Sequence, residues 1–204
     1  MIAPTLLALI YWVGFCYRAN SLLKSLIKTG SVGLLALVAV MVKAPILLAV
    51  GLGLGAVGDW FLSRDHKQVF LIGLLAFAAA HLAYIALILG RPASAIPAVP
   101  VALLLLLCAG IITMLWPRAG ELRWPVTAYV IIIGAMGLAA MIRSDPAVWL
   151  AAGLFIASDI LLAVELFVLR PQHPLRRVTP FAIWALYWLA QAHFLYAFGL
   201  RAAP

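Results

Sequence analysis

The chain has 204 residues, of which 67% are hydrophobic and only 10% charged, and its mean hydropathy is +1.17. Soluble domains carry about 25% charged residues, so a water-soluble globule is excluded and an integral membrane protein is indicated. A net charge of +8 would suggest nucleic acid in a soluble chain. In an apolar one, Lys and Arg set topology, and no nucleic-acid partner is expected.

A membrane span needs about 20 mostly apolar residues, with roughly 17 tolerable. The first apolar run covers 2–17, and no basic segment precedes it as a signal peptide would require. The first cation is Arg18, so a retained span with its N-terminus outside is expected. Lys28 opens a second span at 29–43, and Lys43-Ala44-Pro45 separates it from a third at 45–62. Further spans are expected at 68–90, 94–116, 124–142, 147–169 and 178–200. Arg-Pro (91–92), Trp-Pro-Arg (116–118), Ser-Asp-Pro (144–146) and Arg-Pro-Gln-His-Pro (170–174) mark their boundaries. The fold class is therefore all-α with eight transmembrane helices, or seven if the short break at 43–45 does not divide spans two and three. Short loops leave 1–204 as a single transmembrane domain. Cys16 and Cys108 both lie in apolar runs and form no disulfide framework.

Eight spans sort the cations by side. Arg18, Lys24, Lys28, Arg64, Lys67, Arg118, Arg123, Arg170, Arg176 and Arg177 fall on one face, against Lys43, Arg91, Arg143 and Arg201 on the other. The positive-inside rule places the first set in the cytoplasm and both termini outside. A bacterial inner membrane suits such a chain. Trp60, Trp116, Trp124 and Trp149 fall near span ends, where an aromatic belt belongs.

Two aspartates occupy related apolar frames, Gly53-Leu54-Gly55-Ala56-Val57-Gly58-Asp59 and Gly153-Leu154-Phe155-Ile156-Ala157-Ser158-Asp159. Ala80-His81-Leu82-Ala83-Tyr84 in span four likewise resembles Ala192-His193-Phe194-Leu195-Tyr196 in span eight. Together these matches point to a parallel four-plus-four duplication with halves 1–92 and 93–204. A carboxylate in hydrocarbon costs roughly 2.5–3.5 kcal/mol even on lenient scales, which makes Asp59 and Asp159 the leading catalytic candidates. His81 and Tyr84 lie one turn apart in span four, as do Tyr187 and Gln191 in span eight, so each pair can line a polar cavity. Glu165 is close enough to the span end to snorkel and reads as structural. The glycines at 51, 53, 55 and 58 read as a close-packing surface. No serine-hydrolase elbow, zinc-protease motif or phosphate-binding glycine loop is present.

At these residues the chain resembles the YhhN family of membrane proteins, which includes the vertebrate lysoplasmalogenases. The matching pieces are Lys28-Thr29, Gly58-Asp59-x-x-Leu62, Phe70-x-x-Gly73, Phe77-x-x-x-His81-x-x-Tyr84, Phe155-x-x-Ser158-Asp159 and Tyr187-x-x-Ala190-Gln191. Family members often have Lys-Pro where this chain has Lys28-Thr29, and a second Tyr where it has Trp188. The resemblance implies hydrolysis of the vinyl ether bond of lysoplasmalogens to a fatty aldehyde and glycerophospho-ethanolamine or -choline; no cofactor or metal is expected. The lysophospholipid substrate and the surrounding membrane lipids are the expected partners.

That chemistry suits two carboxyl groups. One protonates the β-carbon of the vinyl ether, and the other stabilises the oxocarbenium ion or activates water. Like-charge repulsion and desolvation let two close acids divide the roles. The residues leave open which is acid and which is base; Asp59, nearer the basic face, suits the ionised role. Lys28, His81, Tyr84, Ser158, Tyr187 and Gln191 are the supporting candidates, with Lys28 or a loop cation on the phosphate. Two other readings compete: a zinc hydrolase using His81, His193 and the aspartates, and a proton-coupled transporter built on the repeat.

Overall fold

Backbone N–H and C=O groups have no water to bond in a bilayer, so an apolar chain of this length must satisfy them within helices. The computed structural model describes residues 1–64, 67–143 and 145–201, which leaves Ser144 of the Ser-Asp-Pro turn outside the described residues. Within them run eight α-helices: α1 (Ile2–Gly14), α2 (Leu22–Met41), α3 (Ile46–Leu62), α4 (Lys67–Leu89), α5 (Ala98–Leu115), α6 (Arg123–Met141), α7 (Pro146–Phe167) and α8 (Thr179–Leu195). A π turn, Tyr196–Leu200, continues α8. Six helices are long and apolar enough to cross a membrane, while α1 and α3, at 13 and 17 residues, are shorter.

Most helix ends fall close to their expected positions; α2 is the exception. It begins at Leu22 because Ser21 caps it, its Oγ accepting from the Lys24 N–H at 3.2 Å. Lys28 therefore does not open the span as expected. It sits about 9 Å into the helix, where its long aliphatic stem is accommodated.

The glycines of α3 explain how the centre closes. A Cβ on Gly51 would lie 2.4 Å from the Tyr84 ring, and one on Gly58 would lie 2.6 Å from that of Phe77. Helix α3 thus offers a groove into which α4 lays its aromatic side chains. Helices α7 and α8 pair along their length, α2 flanks α3, and α6 packs on α4. Helix α1 is pinned to α8 by the Trp184 Nε1–H donating to the Ala8 carbonyl at 3.1 Å. The outside of the bundle is apolar, most plainly on α5, where Val99 is 71% and Leu106 69% exposed. An apolar surface this broad belongs in lipid, and the chain is an integral membrane protein.

The end of the bundle with few cations is clasped by them. Arg143 Nε and Nη2 donate to the Ile88 and Leu89 carbonyls at 3.1 and 3.0 Å, covering acceptors that the C-terminus of α4 leaves open. Arg91 Nη2 donates to the Ala197 carbonyl at 2.9 Å. Asp145 caps α7 through the Ala147 N–H at 3.1 Å and pairs with both Arg91 and Arg201. In the sequence the three arginines count toward topology and Asp145 belongs to a turn; the fold gives all four partners. Burial by itself would raise the Asp145 carboxyl, but Arg201, the Ala147 N–H and Arg91 together hold it below the usual range. With the folded value depressed, this clasp contributes fully above the unfolded carboxylate value of about 3.9 and fades as pH falls below it. Arg143→Ala is expected to cost about 1–3 kcal/mol by orphaning the two carbonyls, read as a lower thermal unfolding midpoint in detergent.

Candidate active site

Asp59 lies three residues from the end of α3, about 4.5 Å along the axis. Its side chain is 1% exposed, and Lys28 Nζ of α2 lies 2.9 Å from its Oδ1. The early start of α2 at Leu22 thus brings a cation to a carboxylate that lipid alone would not tolerate. The other oxygen, Oδ2, accepts from the Tyr187 hydroxyl of α8 at 2.8 Å. A chain of bonds continues behind it. Gln191 Nε2 donates to the Tyr187 Oη at 3.2 Å, and the Tyr84 hydroxyl donates to Gln191 Oε1 at 2.5 Å. Four helices are joined by this run, and every side chain in it but Lys28 is buried. Lys28 Nζ also lies 5.8 Å above the Trp184 ring.

Gly55 is what lets the run pass. A Cβ there would lie 2.5 Å from Gln191 Nε2 and 3.2 Å from the Tyr187 hydroxyl. Gly55→Ala is therefore expected to push Gln191 off Tyr187 and destabilise the fold by about 1–3 kcal/mol. Unfolding in detergent measures the cost, and Gln191→Ala in the same background should recover part of it.

Asp159 occupies a different setting, about 12 Å from the end of α7. Its Oδ2 accepts from the Tyr129 hydroxyl of α6 at 2.5 Å. His81 of α4 lies behind it, fully buried, with Nε2 4.0 Å from the same oxygen. The His81 Nδ1–H donates to the Phe77 carbonyl at 2.6 Å, which in the neutral imidazole leaves the Nε2 lone pair on the side of Asp159. That Nε2 has no hydrogen-bond partner. Among the described residues, no Lys or Arg forms an ion pair with Asp159.

Both aspartates line one cavity of about 300 Å³, together with Lys28, Ser158 and Tyr187. Ser158 also ties α7 to α8, its Oγ donating to the Ile183 carbonyl at 3.0 Å. In the aromatic wall Phe77 and Tyr187 meet edge to face with centroids 5.6 Å apart, and Phe155 packs edge to face against Tyr187 from behind the wall at 5.4 Å. The apolar part runs on past Leu107, Ile111 and Ile133 toward α5 and α6. An ion-paired carboxylate, a carboxyl without a cation and a long apolar slot thus share one space. That combination suits acid catalysis on a lipid chain.

Sequence reasoning missed Tyr129, although a tyrosine inside an apolar run needs a bonding partner and could have been read as a signal. It also set aside Glu165, which lines the cavity. The zinc ligand set fails on geometry. His193 is half-buried and bonds the Leu189 carbonyl of its own helix, and no three His, Cys, Asp or Glu side chains cluster as metal ligands among the described residues. The two His–Tyr pairs also differ in surroundings: His81 and Tyr84 are fully buried, whereas Tyr196 is 48% exposed. Thr29 Oγ1 and Trp188 Nε1 are both buried without a hydrogen-bond partner.

A model of the YhhN family matches residues 23–198, a range that contains every residue of the site. The chain is similar to a lysoplasmalogenase of Mycobacterium bovis (strain ATCC BAA-935 / AF2122/97), 35% identical over 131 residues, 60% of this chain and 50% of that protein. It is also similar to lysoplasmalogenase TMEM86A of Bos taurus, 35% identical over 130 residues, covering 58% and 52% of the two chains. The Homo sapiens protein of the same name is 36% identical over 129 residues, with the same shares. The chain spans about half the length of the curated relatives it matches. No solved structure matches it. With the family model covering most of the chain, this membrane protein belongs to the YhhN family.

Proposed function

We propose that this protein hydrolyses the vinyl ether bond of lysoplasmalogens, releasing a fatty aldehyde and a glycerophospho-ethanolamine or -choline. The observation that carries the reading is the contrast between two carboxyl groups on one cavity: Asp59 paired with Lys28 at 2.9 Å, Asp159 bonded to the Tyr129 hydroxyl with no Lys or Arg paired to it among the described residues. Lysoplasmalogenase is the printed name of the relatives described above. All eight helices cross the membrane, the shorter two included, with the basic ends in the cytoplasm of a bacterial inner membrane and both termini outside.

In this mechanism Asp159 is the acid. Its proton goes to the β-carbon of the vinyl ether, and the double-bond electrons form the new C–H bond. The α-carbon and ether oxygen then share the positive charge of an oxocarbenium ion. Asp59, held ionised by Lys28 and oriented by Tyr187, faces that charge and stabilises it. Water adds to the α-carbon and gives one proton back to the Asp159 carboxylate, which the Tyr129 hydroxyl orients. The hemiacetal collapses to aldehyde and the free glycerol hydroxyl. Retaining glycosidases divide two carboxyl groups over an oxocarbenium-like state in a related way. Tyr84 and Gln191 act at a distance, holding Tyr187 on Asp59.

The test is aldehyde release from lysoplasmenyl-ethanolamine by detergent-purified protein, with and without a strong chelator. Chelator-resistant aldehyde is the expected result. Substrate that stays intact while moving across a vesicle membrane would replace the hydrolase by a transporter.

A further inference from the structure

We propose that Glu165 recognises the ammonium group of the lipid headgroup and so sets headgroup preference. The proposal rests on the hydrolase reading for the place of the scissile bond at Asp159. Beyond that it stands on four features of the cavity.

The first is position. The cavity follows α7 from Ser158 past Asp159 to Glu165, Leu166 and Phe167. Glu165 is six residues beyond Asp159, about 9 Å along the helix. In a lysoplasmalogen, nine bonds separate the ether oxygen from the headgroup nitrogen. At the reach of an extended chain these cover roughly 10–11 Å, so a slightly bent headgroup bridges the two carboxyl groups.

The second is orientation. The Glu165 carboxylate Oε2 accepts from the hydroxyl of Thr179, a buried residue at the start of α8. That bond fixes one oxygen and leaves the other to a ligand. The third is charge. Arg176 directs its Nη2 at the main-chain carbonyls of Glu165 and Leu169, not at the carboxylate. Among the described residues, no ion pair neutralises Glu165. A fixed, unpaired carboxylate on a cavity wall attracts a cation. The fourth is the complement. Lys24 of α2 lines the same cavity, with Asn20 just before it, and Lys24 Nζ donates to the Arg18 carbonyl at 2.6 Å. Its ammonium is the cavity cation that takes the phosphate in this proposal while Glu165 takes the amine. Lys28 is committed to Asp59, which moves the phosphate role to Lys24.

The experiment measures binding, not turnover. Three non-cleavable 1-O-alkyl lysolipids are titrated calorimetrically into purified protein, with phosphoethanolamine, phosphocholine or phosphoethanol as the headgroup. The last keeps the phosphodiester charge and replaces the ammonium by a hydroxyl. Wild type is expected to bind the two ammonium lipids about tenfold more tightly than the phosphoethanol lipid. Glu165→Gln should bring that ratio close to one, and Glu165→Asp should retain part of it. A wild-type ratio near one overturns the proposal even if no variant folds. So does a Glu165→Gln protein that keeps the full ratio, because a purely structural role would weaken all three lipids alike. Absence of aldehyde from the cleavable lipid with the ratio intact would overturn the hydrolase and spare Glu165. Aldehyde with no ratio would do the reverse.

Discussion

Asp159→Asn is expected to reduce aldehyde release from lysoplasmenyl-ethanolamine by about a thousandfold while the protein remains folded. An amide has no acidic proton to give the β-carbon, and a positioned general acid contributes about 10²–10⁴ in rate. The fold should hold because the asparagine carbonyl can still accept from the Tyr129 hydroxyl, the one direct bond Asp159 makes. Unfolding in detergent separates the two effects: the midpoint should stay near that of wild type as the rate collapses. An Asp159→Asn protein with more than a tenth of wild-type turnover would remove Asp159 from the chemistry. Asp59→Asn should lose activity to a similar degree, but with a stability penalty, since it strands Lys28.

The second large effect is expected at Lys28. Lys28→Met removes the only cation that pairs with Asp59 among the described residues, and the Asp59 side chain is 1% exposed. Breaking a buried pair by deleting one partner costs about 3–5 kcal/mol, because the remaining charge is left uncompensated. The double variant Lys28→Met/Asp59→Asn should regain most of that stability, since replacing both charges removes the unpaired one. It should not regain activity. A Lys28→Met protein as stable as wild type would show that the pair does not hold the helices, and would free Lys28 for the phosphate after all.

Much of this arrangement could be read from residue pattern alone. Apolar length and Pro-rich breaks located the helices, since lipid admits little else. The cost of a buried carboxylate singled out Asp59 and Asp159. What escaped depended on side-chain reach. Ser21 starts α2 early and carries Lys28 inward, but a capping serine among scattered loop cations looks like any other loop residue. Tyr129 and His81 meet at Asp159 from α6 and α4, and no sequence spacing relates three separate helices. Arg91, Arg143 and Arg201 were counted by side and not by partner, because topology rules use charge while a carbonyl at a helix end uses a hydrogen-bond donor. The repeated Ala-His-x-x-Tyr stretch shows the opposite risk. Similar letters turned one pair into the core and left the other partly exposed, since a short match does not set which way a helix faces.

The small-residue groove on α3 also bears on how this protein can change over generations. Gly51 with Tyr84, Gly55 with Gln191 and Gly58 with Phe77 are three locks, each with half on α3 and half on α4 or α8. Neither half can grow unless the other shrinks. Among relatives, these positions should therefore drift as couples: where the glycine has become alanine or serine, the ring or amide opposite should be smaller, and single departures should be scarce. The middle couple is under the tighter constraint, because shrinking Gln191 makes room but also cuts the thread that steadies Tyr187 on Asp59.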